Sequence, residues 1–249
     1  MNYHSVKIVS EYSSRKSFPN TRNTSSPLKR LFQMVLIKRE CYVNDLWEIV
    51  GHETVSTRLN DRSKFKRAID WLLKRLVALD VVAFSEHLGM QIMPDSFKII
   101  RMPNIIIGLL KYCADKPTIL VYGNLDVEEA SFKDGWITDP FVMSEQGNYL
   151  YGRGVALDKG PLMCWLNAVQ AYRDAGLRLP LNIVFLIESM AHCGSLGLET
   201  VLQQRISFFR EVSCVAIAGR RWQSNTTPCI IYGLRVASIA ELYMRHFPI

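Results

Sequence analysis

Three short apolar runs constrain this chain most: 118–122, 182–187 and 214–218. Each is rich in β-branched residues and nearly continuous, as expected of strands covered on both faces. The first two are separated by a helical pattern. Pro161 stands near its start, Leu162, Trp165, Leu166, Val169 and Tyr172 make its inward stripe, and Gly176 suits its C-terminal cap. A further helix follows Gly194, with Leu198, Val201 and Leu202 inward. Strands alternating with helices predict an α/β fold, a mostly parallel sheet with helices on both faces. Ligands in such sheets sit beyond the carboxyl ends of the strands. Those ends are 124–126, 188–192 and 219–221, so the topology nominates a pocket by itself.

Upstream, residues 63–79 carry Phe65, Ala68, Ile69, Leu72, Leu73, Leu76 and Val77 at helical spacing, and Lys66, Arg67, Asp70 and Lys74 face water. Asp61 is placed to cap that helix. The stretches 102–110 and 181–187 are too short to span a bilayer and read as core strands. Charge is unevenly placed. The first 40 residues hold eight basic and two acidic side chains, a net of +6, whereas the other 209 carry only +1. The folded part is therefore close to neutral, and no nucleic-acid or membrane partner is expected. Residues 1–30, rich in Ser, Asn, Thr and Arg, read as a disordered basic tail. Six widely spaced cysteines without a Cys-x-x-Cys point to free buried thiols and a cytoplasmic setting. The alternative, mitochondrial import, rests on the Arg- and Ser-rich start.

Familiar local motifs fail. Gly152-Arg153-Gly154 begins like a dinucleotide loop, but Leu157 holds the third glycine position. Gly194-Ser195-Leu196-Gly197 lacks the first glycine of a nucleophile elbow, where Cys193 stands, and Ser195 is better placed as a helix N-cap.

A longer series does agree. It runs through Tyr122-Gly-Asn-Leu-Asp-Val127, Lys133-Asp-Gly-Trp136, Leu150-Tyr-Gly-Arg-Gly154, Asp158-Lys-Gly-Pro161, Glu188-Ser-Met190, Gly194-Ser195 and Pro228-Cys-Ile-Ile-Tyr-Gly-Leu-Arg235. In this order it resembles the co-catalytic zinc metallopeptidases, in particular the cytosolic non-specific dipeptidase and carnosine dipeptidase branch, over about residues 40–240. The resemblance implies a dipeptidase holding two Zn²⁺ or Mn²⁺ ions bridged by an aspartate and a water, with a glutamate as general base. It also implies an inserted lid that dimerises and a second catalytic half supplying a last histidine ligand.

Position by position, the resemblance puts a histidine ligand at Asn124 and the bridging aspartate at Leu157. It puts the general base at Ala191, a metal-binding glutamate at His192 and an aspartate ligand at Gly219. Asp126 matches the residue that orients the first histidine. Asp158 matches the neighbour of the bridge and reads more simply as a cap of the following helix. Arg220 and Arg221 stand beside Gly219, and Arg153 lies nearby. A zinc centre needs about three protein ligands plus water. An amide oxygen is a poor zinc ligand, and leucine cannot neutralise two dications. The sequence therefore predicts no catalytic residue intact and no bound metal. The function expected is that of an inactive dipeptidase homologue whose pocket takes a small peptide or carboxylate. The alternatives are a residual metal-dependent dipeptidase or a truncated product without a function of its own. Three domains are expected: the 1–30 tail, a partial catalytic domain at 31–228, and a lid stub at 229–249, too short for a lid-mediated homodimer. Without metal coordination, the Leu157–Asp158 peptide bond is expected to be trans rather than the family's cis form.

Overall fold

A computed structural model describes residues 5–7, 26–58, 62–93, 97–110, 113–147, 149–219 and 230–231. Strand β1 (Ser5–Lys7) is followed by three helices: α1 (Ser26–Ile37), α2 (Arg39–Gly51) and α3 (Lys64–Ala78). Strands β2 (Val81–Glu86), β3 (Met90–Ile92), β4 (Ile99–Arg101), β5 (Ile105–Leu110) and β6 (Thr118–Asn124) come next. After β7 (Ser144–Gln146) and β8 (Tyr149–Tyr151) the chain continues through α4 (Lys159–Asp174), β9 (Asn182–Glu188), α5 (Leu198–Gln204) and β10 (Val212–Ala218).

The main sheet has the order β10-β6-β9-β5-β2. β10, β6 and β9 are mutually parallel, and β5 runs antiparallel to both β9 and β2. The sheet is thus mixed, with its parallel part at the three predicted strands. A second small sheet has the order β1-β8-β7, and β3 pairs with β4.

Alternation along the strands builds two cores. Val121, Ile183, Phe185 and Ile187 face α3 and α4, packing on Phe65, Leu72, Leu76, Leu162 and Leu166. Leu186, Ile105 and Ile107 face the other way, toward Val201 of α5 and Met190. Each strand residue points opposite its neighbour, so one continuous apolar run feeds both layers. At ~25 cal/mol per Å² of apolar surface removed from water, these two layers are the main source of stability.

Several expectations shift. β10 is an edge strand, so Val215 and Ile217 remain 53% and 55% exposed instead of covered on both faces. Val77 is exposed because α3 buries a narrower stripe than its apolar residues span. Ser195 does not cap α5. Gly197 occupies the N-cap, and Ser195 adopts φ 55° in the preceding turn. Helix α1 begins at Ser26, inside the segment read as tail, and Ser5–Lys7 pair with β8. Cys41, Cys164 and Cys214 are exposed rather than buried. Asp61 lies outside the described residues, as does the 229–249 segment apart from Ile230 and Ile231.

Candidate functional site

Because β6 and β9 are parallel and in register, Asn124 and Glu188 stand opposite each other at their carboxyl ends. β10 adds Gly219 at the same end, one residue beyond the Ala218–Gly123 pair. The start of α4 closes the group. A Cβ added at Gly219 would lie 3.8 Å from the Asp158 backbone nitrogen. Asn124, Asp126, Ala191, His192 and Gly219 therefore converge as the topology predicts, and Asp158, at the start of α4, joins them, with Leu157 half-buried beside it. The Leu157–Asp158 peptide is trans, as expected. Arg220 and Arg221 lie outside the described residues.

Asp126 is fully buried and ties three segments together. One carboxylate oxygen accepts from the Ser56 hydroxyl at 2.7 Å and the His192 N–H at 2.9 Å, and the other from the Ala191 N–H at 3.2 Å. Burial pushes its pKa upward, and these donors pull the other way. The residues around Ser56 are braced in turn. Thr54 donates to the Leu125 carbonyl at 2.6 Å, and Val55 bridges to Val127. Asp126 thus orients loops through their backbone, where the resemblance had it orienting a side chain at position 124.

Asp158 occupies the N-cap position of α4 without capping it. Its φ of 64° is a left-handed conformation that costs a non-glycine residue roughly 1–3 kcal/mol and turns its side chain into the cleft. There Asn124 Nδ2 donates to Asp158 Oδ1 at 3.4 Å, and His192 Nε2 lies 3.4 Å from the same oxygen. The His192 contact has ion-pair distance without hydrogen-bond alignment, and Nε2 remains a buried atom lacking a hydrogen bond. Asp158 raises the His192 pKa most, with Asp126 and Glu128 acting in the same direction against burial. Glu128 stands 3.9 Å from His192 Nδ1 and is also bound by Arg153.

Three features were not read from the sequence. Lys159, the residue after Asp158, is fully buried, and its Nζ donates to the His52 carbonyl at 2.5 Å. Burial lowers its pKa to about 7, against the pull of Asp158, Asp126 and Glu53. Tyr122 donates to Glu188 Oε2, and burial raises the pKa of both groups. Position 122 lies two residues before Asn124 on the same sheet face, a period-2 signal that could have linked them. Ser56 is 70 residues from Asp126 in sequence, and no local pattern announces that contact.

Among the described residues, no three His, Cys, Asp or Glu side chains group so as to hold a metal ion. Asp126 has both oxygens engaged, and position 157 offers no donor at all.

Comparison with known proteins agrees with this architecture. The model of peptidase family M20/M25/M40 matches residues 120–230. The chain is 34% identical to the mouse Beta-Ala-His dipeptidase over 214 residues, which covers 85% of this chain and 43% of that protein. It is likewise 34% identical to the Cys-Gly metallodipeptidase DUG1 of Candida albicans, covering 84% of this chain and 44% of that one. The crystal structure of human carnosine dipeptidase 1 superposes with a TM-score of 0.74 at 33% identity, over 78% of this chain and 42% of the other. The chain thus spans under half the length of the relatives it matches.

Proposed function

This chain is a homologue of the metallodipeptidases of peptidase family M20/M25/M40, and from that we propose that it is a catalytically silent one, binding small peptides in the old cleft without hydrolysing them. The observation that carries the proposal is the His192–Asp158 contact at 3.4 Å. The strongest metal donor left in the cleft faces a carboxylate, and a protonated imidazole there places one positive charge where the relatives' chemistry calls for dications. The donors present do not fit a pair of dications. Asn124 supplies an amide, Leu157 and Gly219 supply nothing, and Asp126 is used up by Ser56, Ala191 and His192. Ala191 removes proton transfer independently, because a methyl group carries no acid or base.

Peptide binding is supported by acceptors facing the cleft, the Asp158 carboxylate and Asn124 Oδ1, the latter buried and lacking a hydrogen-bond partner. Both suit an ammonium group. Arg153 is engaged by Glu128, so carboxylate recognition in this proposal falls to Arg220 and Arg221. A cytoplasmic setting belongs to the same reading, supported by the free thiols of Cys41, Cys113, Cys164, Cys193 and Cys214.

One observation favours a second reading, a residual metal-dependent dipeptidase. Asn124 Oδ1, Glu188 Oε1 and His192 Nε2 are all buried atoms without hydrogen bonds, and a cation would satisfy the two oxygens. Elemental analysis of the purified protein, with an Ala-Gly hydrolysis assay with and without chelator, separates the two. Silence predicts substoichiometric metal and no turnover, with dipeptide binding seen by titration calorimetry. One or two zinc or manganese ions per chain with chelator-sensitive hydrolysis would establish the second reading.

A further inference from the structure

A cavity of about 350 Å³ opens between the end of α2 and the start of α3, lined by Glu48, Gly51, His52, Glu53, Lys64 and Arg67. Helical spacing assembles it. Glu48 and His52 are four residues apart where α2 ends, and Lys64 and Arg67 are three apart in the first turn of α3, so each pair shares one side of its helix. The cavity shares no lining residue with the cleft at the strand ends.

Two of its charges are spent on each other and two are not. Lys64 Nζ donates to Glu53 Oε2 at 2.8 Å, and Arg58 reaches the same oxygen at 3.5 Å. Glu48 and Arg67 are exposed, and neither makes an ion pair with the other or with any further described residue. Burial holds the His52 pKa down, with Lys159 and Arg67 acting the same way against Glu48, so its imidazole adds no positive charge at neutral pH. The helix ends sharpen this division. No base stands in the last turn of α2, where Glu48 joins the negative pole of that helix. No side chain caps α3 and no acid stands in its first turn, where Arg67 joins the positive pole. One cavity thus has a side that attracts a cation and a side that attracts an anion.

We propose that this cavity binds a small zwitterion of the free amino acid class, with its ammonium group on Glu48 and its carboxylate on Arg67. The volume lies at the small end of ligand cavities, which suits a ligand of that size. The proposal does not depend on what the cleft binds. A short stretch of chain nevertheless joins the two places, since the His52 carbonyl accepts from Lys159 and Ser56, four residues on, donates to Asp126. The test therefore reads them separately.

The full chain is titrated with L-alanine and followed by NMR through the ring signals of His52 and His192, assigned from His52→Gln and His192→Gln. The controls are N-acetyl-L-alanine, which lacks the ammonium group, and L-alaninamide, which lacks the carboxylate. The expected result is a saturable movement of the His52 signals by L-alanine, with ~tenfold or weaker binding of either control. Glu48→Lys and Arg67→Glu each weaken L-alanine binding by about tenfold. Their circular dichroism spectra stay unchanged, since both side chains are exposed. The exchanged pair, Glu48→Arg with Arg67→Glu, recovers part of that loss because opposite charges again face the cavity. L-alanine binding unmoved by both charge reversals, or either control binding as tightly as L-alanine, would overturn the proposal. So would His52 signals that never move, and movement of the His192 signals alone would place the amino acid in the cleft instead.

Discussion

Strands β9 and β10 have similar sequences and opposite fates. Both are seven-residue apolar runs parallel to β6. Every residue of β9 is buried, whereas β10 keeps Ser213, Cys214, Val215 and Ile217 exposed. The difference is position. β9 lies between β6 and β5 with helices on both faces, and among the described residues β10 pairs on one side only. An apolar run states what a segment can bury, and the sheet order decides what it does bury. At the carboxyl ends of the strands, polar contacts gather after β6 and β9, and Gly219, the residue after β10, adds no side chain.

The largest test of that contrast compares truncations. Phe185→Ala in β9 should cost about 3–5 kcal/mol by chemical denaturation, and Ile217→Ala in β10 under ~1 kcal/mol. Similar losses would mean that β10 is covered in solution.

The next concerns Lys159, buried where α4 meets the parallel strand ends. Its folded pKa, about 7, lies below the unfolded 10.5, so between those values the unfolded chain holds more protons and stability must rise with pH. The rise should total on the order of 2–4 kcal/mol. Lys159→Met should abolish the slope, although losing the hydrogen bond to the His52 carbonyl offsets part of the gain. A slope unchanged in the variant would show that the amine reaches water.

Glu188 gives a smaller limb of opposite sign. Burial raises its folded pKa, so its contribution is complete below the ordinary glutamate value and is lost as pH rises through the folded value. His192 acts in the same direction. Its pKa is raised by Asp158, and its stabilisation is present below about 6.5 and lost as pH climbs through the folded value. Urea midpoints of Glu188→Gln and His192→Asn across mild acid to neutral pH should be flatter than those of the parent chain. An identical profile would remove both groups from the account.

The smallest effect is expected at the open edge. Ile217→Lys should change stability by no more than ~0.5 kcal/mol while raising the soluble yield, since a lysine discourages edge-to-edge pairing. A large loss would again indicate that something packs on β10.

Much of this was legible beforehand. Periodicity located α3, α4, β6 and β9, and the strand-end rule brought Asn124, Asp126, His192 and Gly219 together. Spacing reports which side of its own element a residue faces. It says little about a partner far along the chain, and so the Ser56–Asp126 bond and the Lys159–His52 contact went unread. It also misjudged β10, whose exposure depends on what packs beside it. That the side chains at Leu157 and Ala191 bear no carboxylate was plain, because it needs no geometry to be recognised.

Gly160 shows how tightly the backbone fixes the turn before α4. A side chain there would put its Cβ 1.9 Å from the Val155 carbonyl oxygen, and the Gly160 N–H closes on the Gly154 carbonyl at 2.9 Å. The turn that carries positions 157 and 158 is therefore packed so closely on its own backbone that position 160 has no room for a side chain. The side chain at position 157 can therefore vary while the backbone contacts that curve the turn stay the same.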